Sequence, residues 1–485
     1  MKGLEQVAFD DQKRQQIWLT GATFEVPAYF YGWRFCGGVK FDGACFGQGA
    51  NFLAVVFEND ADFTNARFIS STEETGDPRD NFSDLSAEFE TAIFKSSVSF
   101  NNAEFDDEAR FYEVEFQAQV DFRETRFKGQ VSLQETQWRE PQRRFGPFRL
   151  DGELNLRLAS FEGDLLLEVE GGSVILDDTR FGDSLTIRAR RTTLTLEHLD
   201  LTRPALVALA PDSRADSHGV PDIATVVDFS ADLDESVLPK ILSLRDSNVL
   251  GLTIANADLR GCLFQGVRNI DRLSIEGYAP FASAPKHRSS RRIVFEEIEW
   301  RVAHAGRARS GPTRWLGARA APAWRAARPA QRAGAEVEVQ PDQLARIYRG
   351  LRKSLEESKD YAGASDLYYG EMEMKLRTDS TPPADRAIIA VYWALSGYGL
   401  RASRSLLALA LVLAVFSALF ATVGFASNES LLDGLLHSTR TAALFPLGDD
   451  IELTQAGQAF QIILRVAGPV LIGLSALALR TRIKR

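Results

Sequence analysis

The sequence predicts a mainly β fold in which the chain winds into stacked coils, followed by helices and two membrane spans. The first observation is a series of phenylalanines between residues 22 and 138 whose steps alternate between five and six residues. The second is a small or apolar residue two positions before almost every member of that series. The third is a pair of long apolar stretches near the C-terminus, at 405–425 and 459–479.

Steps of five and six fit neither a helix nor a continuous strand. They fit a chain that turns a corner after each short side and points one large side chain inward per side. The residue two positions earlier shares that inner face because side chains alternate along a strand. One side cannot bury its ring alone, so stacked coils build a common core. The predicted ladder residues are Phe41, Phe46, Phe52, Phe57, Phe63, Phe68, Phe89, Phe94, Phe100, Phe105, Phe111, Phe116, Phe122 and Phe127.

Three segments carry a resemblance to a known family: ADFTNARF at 61–68, AEFETAIF at 87–94 and NADLRGCLF at 256–264. They resemble pentapeptide-repeat proteins of the Phe-centred variety. The resemblance implies a right-handed, four-sided (quadrilateral) β-helix with the central Phe or Leu and the preceding small residue stacked inside. The family's steps are all five, whereas every second step here is six. The extra residue is either a bulge or a wider corner.

The β-helix is predicted to cover residues 21–282, after a polar lead-in or cap at 1–20. Gly, Pro and acidic residues interrupt the series at 70–86, which indicates a loop because the series then resumes. From 139 the rings give way to aliphatic pairs such as Leu165 and Leu167, so the coil is expected to continue with thinner layers. A second loop is predicted at 203–222.

Residues 283–340 hold 12 basic residues with repeated Ala, Pro and Trp. A short helix is predicted over 291–304, and the remainder is predicted to form a basic linker. Such a segment can lie on lipid headgroups, serve as a plain linker or bind nucleic acid. The membrane next to it favours the first of these. Residues 341–377 show two apolar stripes at helical spacing, which predicts a helical hairpin.

Charge and cysteine content indicate a cytoplasmic setting. Residues 1–282 hold 28 Lys and Arg against 47 Asp and Glu, a net charge of −19, and residues 283–485 hold 28 against 19, a net charge of +9. A basic part beside a membrane favours contact with anionic lipid on the cytoplasmic side. The three cysteines form no CxxC motif and no disulfide framework, as expected in a reducing compartment.

Each apolar stretch is long enough to cross a bilayer. Basic residues flank the outer ends, including the tail 480–485, whereas the connector 426–458 has one Arg and five acidic residues. The positive-inside rule therefore predicts a multi-pass protein of the cytoplasmic membrane with both termini inside and the connector outside. Residues 384–400 are too short to span and are predicted to form an interfacial helix.

The connector between the spans contains an amphipathic run at 431–450, and this layout is similar to the transmembrane module of pore-loop channels. This amphipathic run is either an external helix or a re-entrant helix. No selectivity-filter motif follows it. The candidate residues of this region are Arg440, Asp449, Asp450 and Arg465. A charge such as Arg465 within a span marks a partner or a pathway; a pair with the acidic residues or an outward reach to the headgroups is the favoured interpretation.

The sequence predicts a membrane-anchored scaffold that presents its acidic β-helix to a protein partner. One alternative is a pore-loop-type, ion-channel-like protein regulated by the β-helix. The other is a DNA-mimicking protein that shields a topoisomerase. Scattered His residues and the absence of a phosphate loop or nucleophile motif predict a protein without enzymatic activity, metal or cofactor. Expected partners are membrane lipid, an unidentified protein and further copies of the chain; nucleic acid is the least favoured.

Overall fold

The computed structural model describes residues 16–70, 85–141, 144–211, 234–285, 291–304, 324, 326, 339–426, 430–445 and 453–483. The chain divides into two compact units, Met1–Glu338 and Val339–Arg485. The first is a parallel β-solenoid of about 10 turns, and the second is helical. Most of the predicted lead-in, the loop at 71–84 and most of the basic linker lie outside the described residues.

Four parallel sheets run along the solenoid, one for each side of the coil. The first contains Ile17–Trp18, Val39–Lys40, Ala61–Asp62, Val98–Ser99 and Val120–Asp121. The second contains Thr23–Phe24, Cys45–Phe46, Arg67–Phe68, Glu104–Phe105, Arg126–Phe127, Phe145–Leu150, Leu165–Glu170, Leu185–Arg190, Ala205–Leu209, Leu252–Ala255 and Ser274–Glu276. The third contains Ala28–Tyr29, Ala50–Asn51, Leu85–Glu88, Glu108–Arg110, Val131–Ser132, Glu153–Asn155, Ser173–Ile175, Thr193–Thr195 and Lys240–Ser243. The fourth contains Arg34–Phe35, Val56–Phe57, Ile93–Phe94, Glu115–Phe116, Gln137–Trp138, Ser160–Phe161 and Arg180–Phe181.

One full coil takes 22 residues in the aromatic half, since Ile17 pairs with Val39 and Val39 pairs with Ala61. The eleven-residue period of the sequence is therefore half a coil. Ala61 pairs with Val98, 37 residues later, so the insertion at 70–86 leaves the stack without ending it. The right-handed sense of the winding stays a prediction.

The alternation of five and six reflects two kinds of corner. At the five-residue steps the chain makes a tight turn, in which Ala44 N donates to Phe41 O (2.9 Å) and Gly43 is left-handed, with φ +65°. At the six-residue steps the corner is wider and bonds to neighbouring coils, as where Glu58 N donates to Phe35 O (3.0 Å). The left-handed residues of the tight corners are Gly21, Gly32, Gly43, Ala54, Asn65, Thr91, Asn102, Glu113, Glu124 and Glu135.

The inward rings form four ladders, one per side. Phe41 stacks on Phe63 with ring centroids 5.0 Å apart and planes 10° apart. Phe52 lies between them on the opposite side and meets Phe41 edge-on at 5.8 Å. Residues one coil apart therefore stack face to face, whereas residues eleven apart meet at an edge. All fourteen predicted ladder residues are at most 2 % exposed.

Beyond residue 144 the coil changes from four strands to three. Phe145 and Phe148 lie on one six-residue strand, yet they contact Phe122 of the first ladder and Phe127 of the second. One long strand therefore replaces two short sides, and the coil shortens to 20 residues, as in the pairing of Leu165 with Leu185. The predicted loop at 203–222 is wrong at its start, because Ala205–Leu209 alternates inward and outward residues and continues this sheet.

The solenoid ends in an antiparallel hairpin, Ala282–Ser283 with Arg292–Ile293, followed by helix α1 (Phe295–His304). Ile293, Phe295 and Ile298 pack on Leu263 and close the core. The short helix predicted over 291–304 is confirmed as α1, whereas the linker boundary at 283 is too early because the hairpin and α1 belong to this cap.

The helical unit contains α2 (Pro341–Glu357), α3 (Tyr361–Arg377), α4 (Pro383–Ser396), α5 (Ala402–Leu419), α6 (Leu431–Ala442) and α7 (Gln455–Ile483). A π-helical turn, Phe420–Gly424, extends α5. α2 and α3 form the antiparallel pair that the two apolar stripes indicate, and Asp360 caps α3 by accepting from Gly363 N (2.9 Å). α4 ends at Gly397, whose φ of +56° turns the chain into α5.

Candidate functional site

Two helices are long and apolar enough to cross a membrane, Ala402–Gly424 and Gln455–Leu477. Only 11 % of the first and 22 % of the second is buried within the protein. The core helix of a soluble protein would be mostly buried. Their length, composition and exposed apolar surface therefore favour a bilayer.

Helix α6 lies against both of these helices. It begins with a capping box in which Ser430 and Asp433 bond each other's backbone. Ser417 of α5 donates its hydroxyl to Leu431 O (3.0 Å), and a Cβ on Gly434 would lie 2.5 Å from Ser417 O. At its other end, a Cβ on Gly468 of α7 would lie 2.5 Å from the Cα of Ala442. Such small-residue crossings are typical of helices packed in membranes.

The side of α6 that faces α5 and α7 is polar. His437, Ser438 and Thr441 are all buried, and the His437 ring meets the edges of Phe420 (4.7 Å) and Phe425 (5.5 Å). Neither His437 Nε2 nor Thr441 Oγ1 has a hydrogen-bond partner among the described residues. Phe420, the first residue of the π-helical turn, lies beside His437, and such turns frequently occur at functional sites.

The opposite side of α6 is apolar and exposed. Leu431, Leu432, Leu435 and Leu436 are 65 %, 67 %, 44 % and 50 % exposed. A connector in water would reverse this arrangement, with leucines inside and polar groups outside. The amphipathic run of the sequence therefore has its polar side toward the protein.

Two of the four predicted membrane-region residues are described, Arg440 on α6 and Arg465 on α7. Arg440 and Arg465 are exposed, and both lie close enough to His437 for their charges to act on it. Asp449 and Asp450 lie outside the described residues. Sequence reasoning missed His437 because it tested the histidines for metal spacing. His437 could have been identified from its spacing, because His437 and Thr441 are four residues apart and lie on the side of α6 opposite a row of leucines.

Aromatic and arginine side chains join α3, α4 and the start of α5. Trp393 Nε1 donates to the hydroxyl of Tyr369 (2.9 Å), and the Arg404 guanidinium lies 5.0 Å from the Trp393 ring. Tyr398 is fully buried against the ring of Tyr369 (5.1 Å). Trp and Tyr beside Arg are typical of a membrane–water boundary.

Glu371 ties the hairpin together by ion pairs to Arg349 (3.0 Å), Arg352 (3.3 Å) and Lys375 (2.7 Å). Burial by itself would raise the pKa of Glu371. The hydrogen bonds from Lys375 and Arg349, together with the charges of Lys375 and Arg352, outweigh burial and lower that pKa. Glu371 therefore stays ionised in the folded hairpin.

The outer surface of the solenoid is acidic, but several of its carboxylates form ion pairs with Lys or Arg. Glu58 contacts Arg34 (2.9 Å) and Lys95 (3.0 Å) on neighbouring coils, and Lys128 bridges Glu104 (2.7 Å) and Asp106 (2.5 Å). A shallow groove of about 850 Å³ follows the first sheet, with both acidic and basic residues along it. Among the described residues, no group of three or more His, Cys, Asp or Glu side chains is placed to hold a metal ion.

Fold and helices together define a repeat-built β-solenoid protein that carries two membrane-capable helices. Residues 87–137 match the family model of pentapeptide repeats (9 copies). This range lies within the aromatic coils, where the rings and the small residues before them form the ladders. Comparisons with curated proteins and with solved structures gave no match.

Proposed function

We propose that the protein is a membrane-anchored scaffold whose acidic solenoid presents an interaction surface at the cytoplasmic face. The observation that carries this proposal is the contrast between the two units. The solenoid directs its rings inward and its charges outward, whereas α5 and α7 expose most of their apolar surface. The first unit can stand in water, and the second needs a lipid environment.

Charge placement supports the cytoplasmic face. Arg401 and Arg404 precede the first span, and the tail 480–485 follows the second. Arg401 and Arg404 also lie over the rings of Tyr369 (5.5 Å) and Trp393 (5.0 Å). Aromatic and basic residues of this kind mark the end of a span, and the positive-inside rule assigns the basic end to the cytoplasmic side.

Membrane anchoring can be tested by fractionation of cells that produce either the full chain or a chain lacking residues 384–485. The full chain is expected in the membrane fraction, extractable by detergent and resistant to alkaline carbonate. The shortened chain is expected in the soluble fraction. A shortened chain that remains wholly in the membrane fraction contradicts the proposal.

The interaction surface can be tested by crosslinking in native membranes followed by mass spectrometry. Crosslinked peptides from a partner are expected to map to solenoid residues that face outward. The matched variant exchanges Glu113 and Glu135 for Gln at corners one coil apart, where it changes charge without touching the core. A crosslinking pattern confined to residues 339–485 would remove the scaffold function.

The ion pairs of the solenoid argue against the DNA-mimicking alternative. A protein that imitates duplex DNA needs rows of unneutralised negative charge, comparable to phosphates along a helix. Here Glu58, Glu104, Asp106, Glu115 and Asp121 all have a Lys or Arg within 3.0 Å. These carboxylates are therefore neutralised by adjacent cations and do not form an unbroken row of negative charge.

A pore-type membrane protein is the second candidate, and α6 favours it. A helix that enters between two spans and packs on both is the arrangement of a pore-loop module. Currents across bilayers containing the purified full chain would support this candidate. Protein that inserts and remains monomeric without current would exclude it.

A further inference from the structure

Helix α6 reaches deep into the apolar slab that α5 and α7 define. Gly424 and Gly457 mark the connector end of the bundle, because a Cβ on Gly457 would lie 2.1 Å from Gly424 O. Ser417, beside the start of α6, lies seven residues before Gly424, which is about 10 Å at the helical rise. Gly468, beside the end of α6, lies eleven residues beyond Gly457, about 16 Å. Since the hydrocarbon core is about 30 Å thick, α6 ends near its middle.

Arg465 and Arg440 share this depth. Arg465 lies eight residues beyond Gly457, about 12 Å from the connector end. Arg440 lies two residues before Ala442, the contact of Gly468. Both side chains are exposed, and neither has a carboxylate partner within the described part of the chain. A guanidinium facing acyl chains at this depth is strongly unfavourable, so both must face something polar.

The groups around the two arginines determine what that polar neighbour is. His437 and Thr441 supply a buried ring nitrogen and a buried hydroxyl without partners in the described chain. Asp433, the acidic residue of α6, is one to two turns away and is bonded to Ser430 (2.6 Å). Two positive charges with neutral donors beside them repel cations and attract anions.

We propose that copies of the chain assemble through the α6 and α7 side of the bundle and bind small inorganic anions there, at Arg440, Arg465 and His437. This inference rests on the proposed membrane location. The second copy covers the arginine-bearing side, which a single copy would leave against lipid. Leu431 and Leu435 of α6 and the apolar side of α5 remain for the acyl chains, whereas Leu436, four residues before Arg440, lies on the covered side. Among pore-type functions, the site fits an anion pathway.

The anion site can be tested with the full chain purified in detergent and unfolded by heat, in chloride or in gluconate at equal ionic strength. Chloride is expected to raise the unfolding temperature of the helical unit, because a ligand that binds only the folded state stabilises it. Arg465→Gln and Arg440→Gln are each expected to raise the chloride concentration of half effect by about tenfold, the contribution of one charge-assisted hydrogen bond.

The matched control is Arg346→Gln, which removes an arginine that is 71 % exposed on α2 and should retain the chloride response. Equal responses in chloride and gluconate for the unaltered chain would overturn the proposal. So would a chloride response that appears only after Asp449 and Asp450 are changed to Asn, because the arginines would then be paired within the chain.

Assembly can be tested by cysteine crosslinking in liposomes, after Cys36 and Cys45 are changed to Ser and buried Cys262 is kept. Val466→Cys, beside Arg465, is expected to crosslink between copies, and a fluorescent label attached to Leu407→Cys on α5 is expected to be quenched by brominated lipid. Quenching of a label at 466 as strong as at 407, without crosslinks, refutes the assembly. Flotation of the liposomes reports membrane insertion separately: failure to float contradicts the membrane anchor, whereas flotation without a chloride response contradicts only this inference.

Discussion

The stacked rings lead to a quantitative prediction for Phe100, at the centre of the first ladder. Phe100 is fully buried and stacks on Phe63 (5.1 Å) and Phe122 (5.0 Å). Its edges also meet Phe89 (5.6 Å) and Phe111 (5.7 Å). Phe100→Ala removes both stacks and leaves a cavity that the coils above and below cannot close. Phe-to-Ala changes in such cores cost about 3–5 kcal/mol.

Two further variants separate stacking from burial. Phe100→Leu keeps an apolar side chain against its edge-on neighbours and loses both face-to-face stacks, each worth about 0.5–1.5 kcal/mol, so an intermediate loss of about 1–3 kcal/mol is expected. Phe24→Ala lies in the first coil, where the ring has one stacking partner, Phe46 at 4.9 Å, and remains 6 % exposed. Its loss should be smaller than that of Phe100→Ala.

The measurement is amide hydrogen exchange on the full chain in detergent, read by mass spectrometry coil by coil. Contacts in a solenoid join only neighbouring coils, so Phe100→Ala should reduce protection most around residues 61–70 and 120–127. Strands beyond residue 165 should change least. Lys95→Ala, on the surface of the same coil, serves as the control. Equal losses for Phe100→Ala and Phe24→Ala, or uniform loss along the chain, would refute the ladder reasoning.

Two further predictions follow from the tight corners and from the hairpin. Ala54 and Gly43 are both left-handed, with φ of +54° and +65°. Ala54→Gly should therefore be neutral or stabilising, whereas Gly43→Ala should lower the midpoint of urea unfolding by the equivalent of about 1 kcal/mol. Losses of the same size in both variants would contradict the corner assignment. The pKa of Glu371 is lowered from 4.5, so its stabilising effect is present above that value and is lost as the pH falls through the folded-state pKa. Glu371→Gln should weaken the acid dependence of hairpin unfolding measured by circular dichroism, and the exposed Asp379→Asn should leave it unchanged.

Much of the solenoid could be predicted because each side repeats the same requirement. A ring on every side and a small residue two positions earlier predict an inner face wherever they occur. The number of eleven-residue periods in one coil could not be derived from the period, because opposite corners such as Gly43 and Ala54 have the same backbone conformation. Only the pairing of Val39 with Ala61 shows that a coil contains two periods.

The helix that follows the solenoid was predicted, whereas its packing against the end of the solenoid was missed, because buried charges disguise a core segment. Glu296, Glu297 and Glu299 give α1 a polar composition. They mask its short apolar stripe, which consists of Phe295, Ile298 and Val302. In the structure Glu297 is fully buried between Arg291 and Arg301, each 2.6 Å away. A buried carboxylate is tolerated when cations surround it, and a partner six residues away is not visible in a periodicity.

The change from four strands to three was hidden for a different reason. Alternating residues such as Leu165, Leu167 and Val169 fit a short side and a long strand equally well. The length of the strand Phe145–Leu150 depends on the coil that precedes it, because Phe145 and Phe148 pack on the rings of Phe122 and Phe127. Long-range packing of this kind leaves no trace in the local pattern.

Charge placement separates the two candidate functions and allows them to be tested independently. A scaffold depends on the outward residues of the solenoid, such as Glu113 and Glu135, whose removal leaves the ladders intact. An anion pathway depends on Arg440 and Arg465, which lie in the other compact unit. A variant that loses partner crosslinks and keeps the chloride response would assign interaction to the solenoid and ion chemistry to the helices. Loss of both responses in the Glu113 and Glu135 variant would instead require the solenoid to control the anion site, which is the regulatory role of the pore-type alternative.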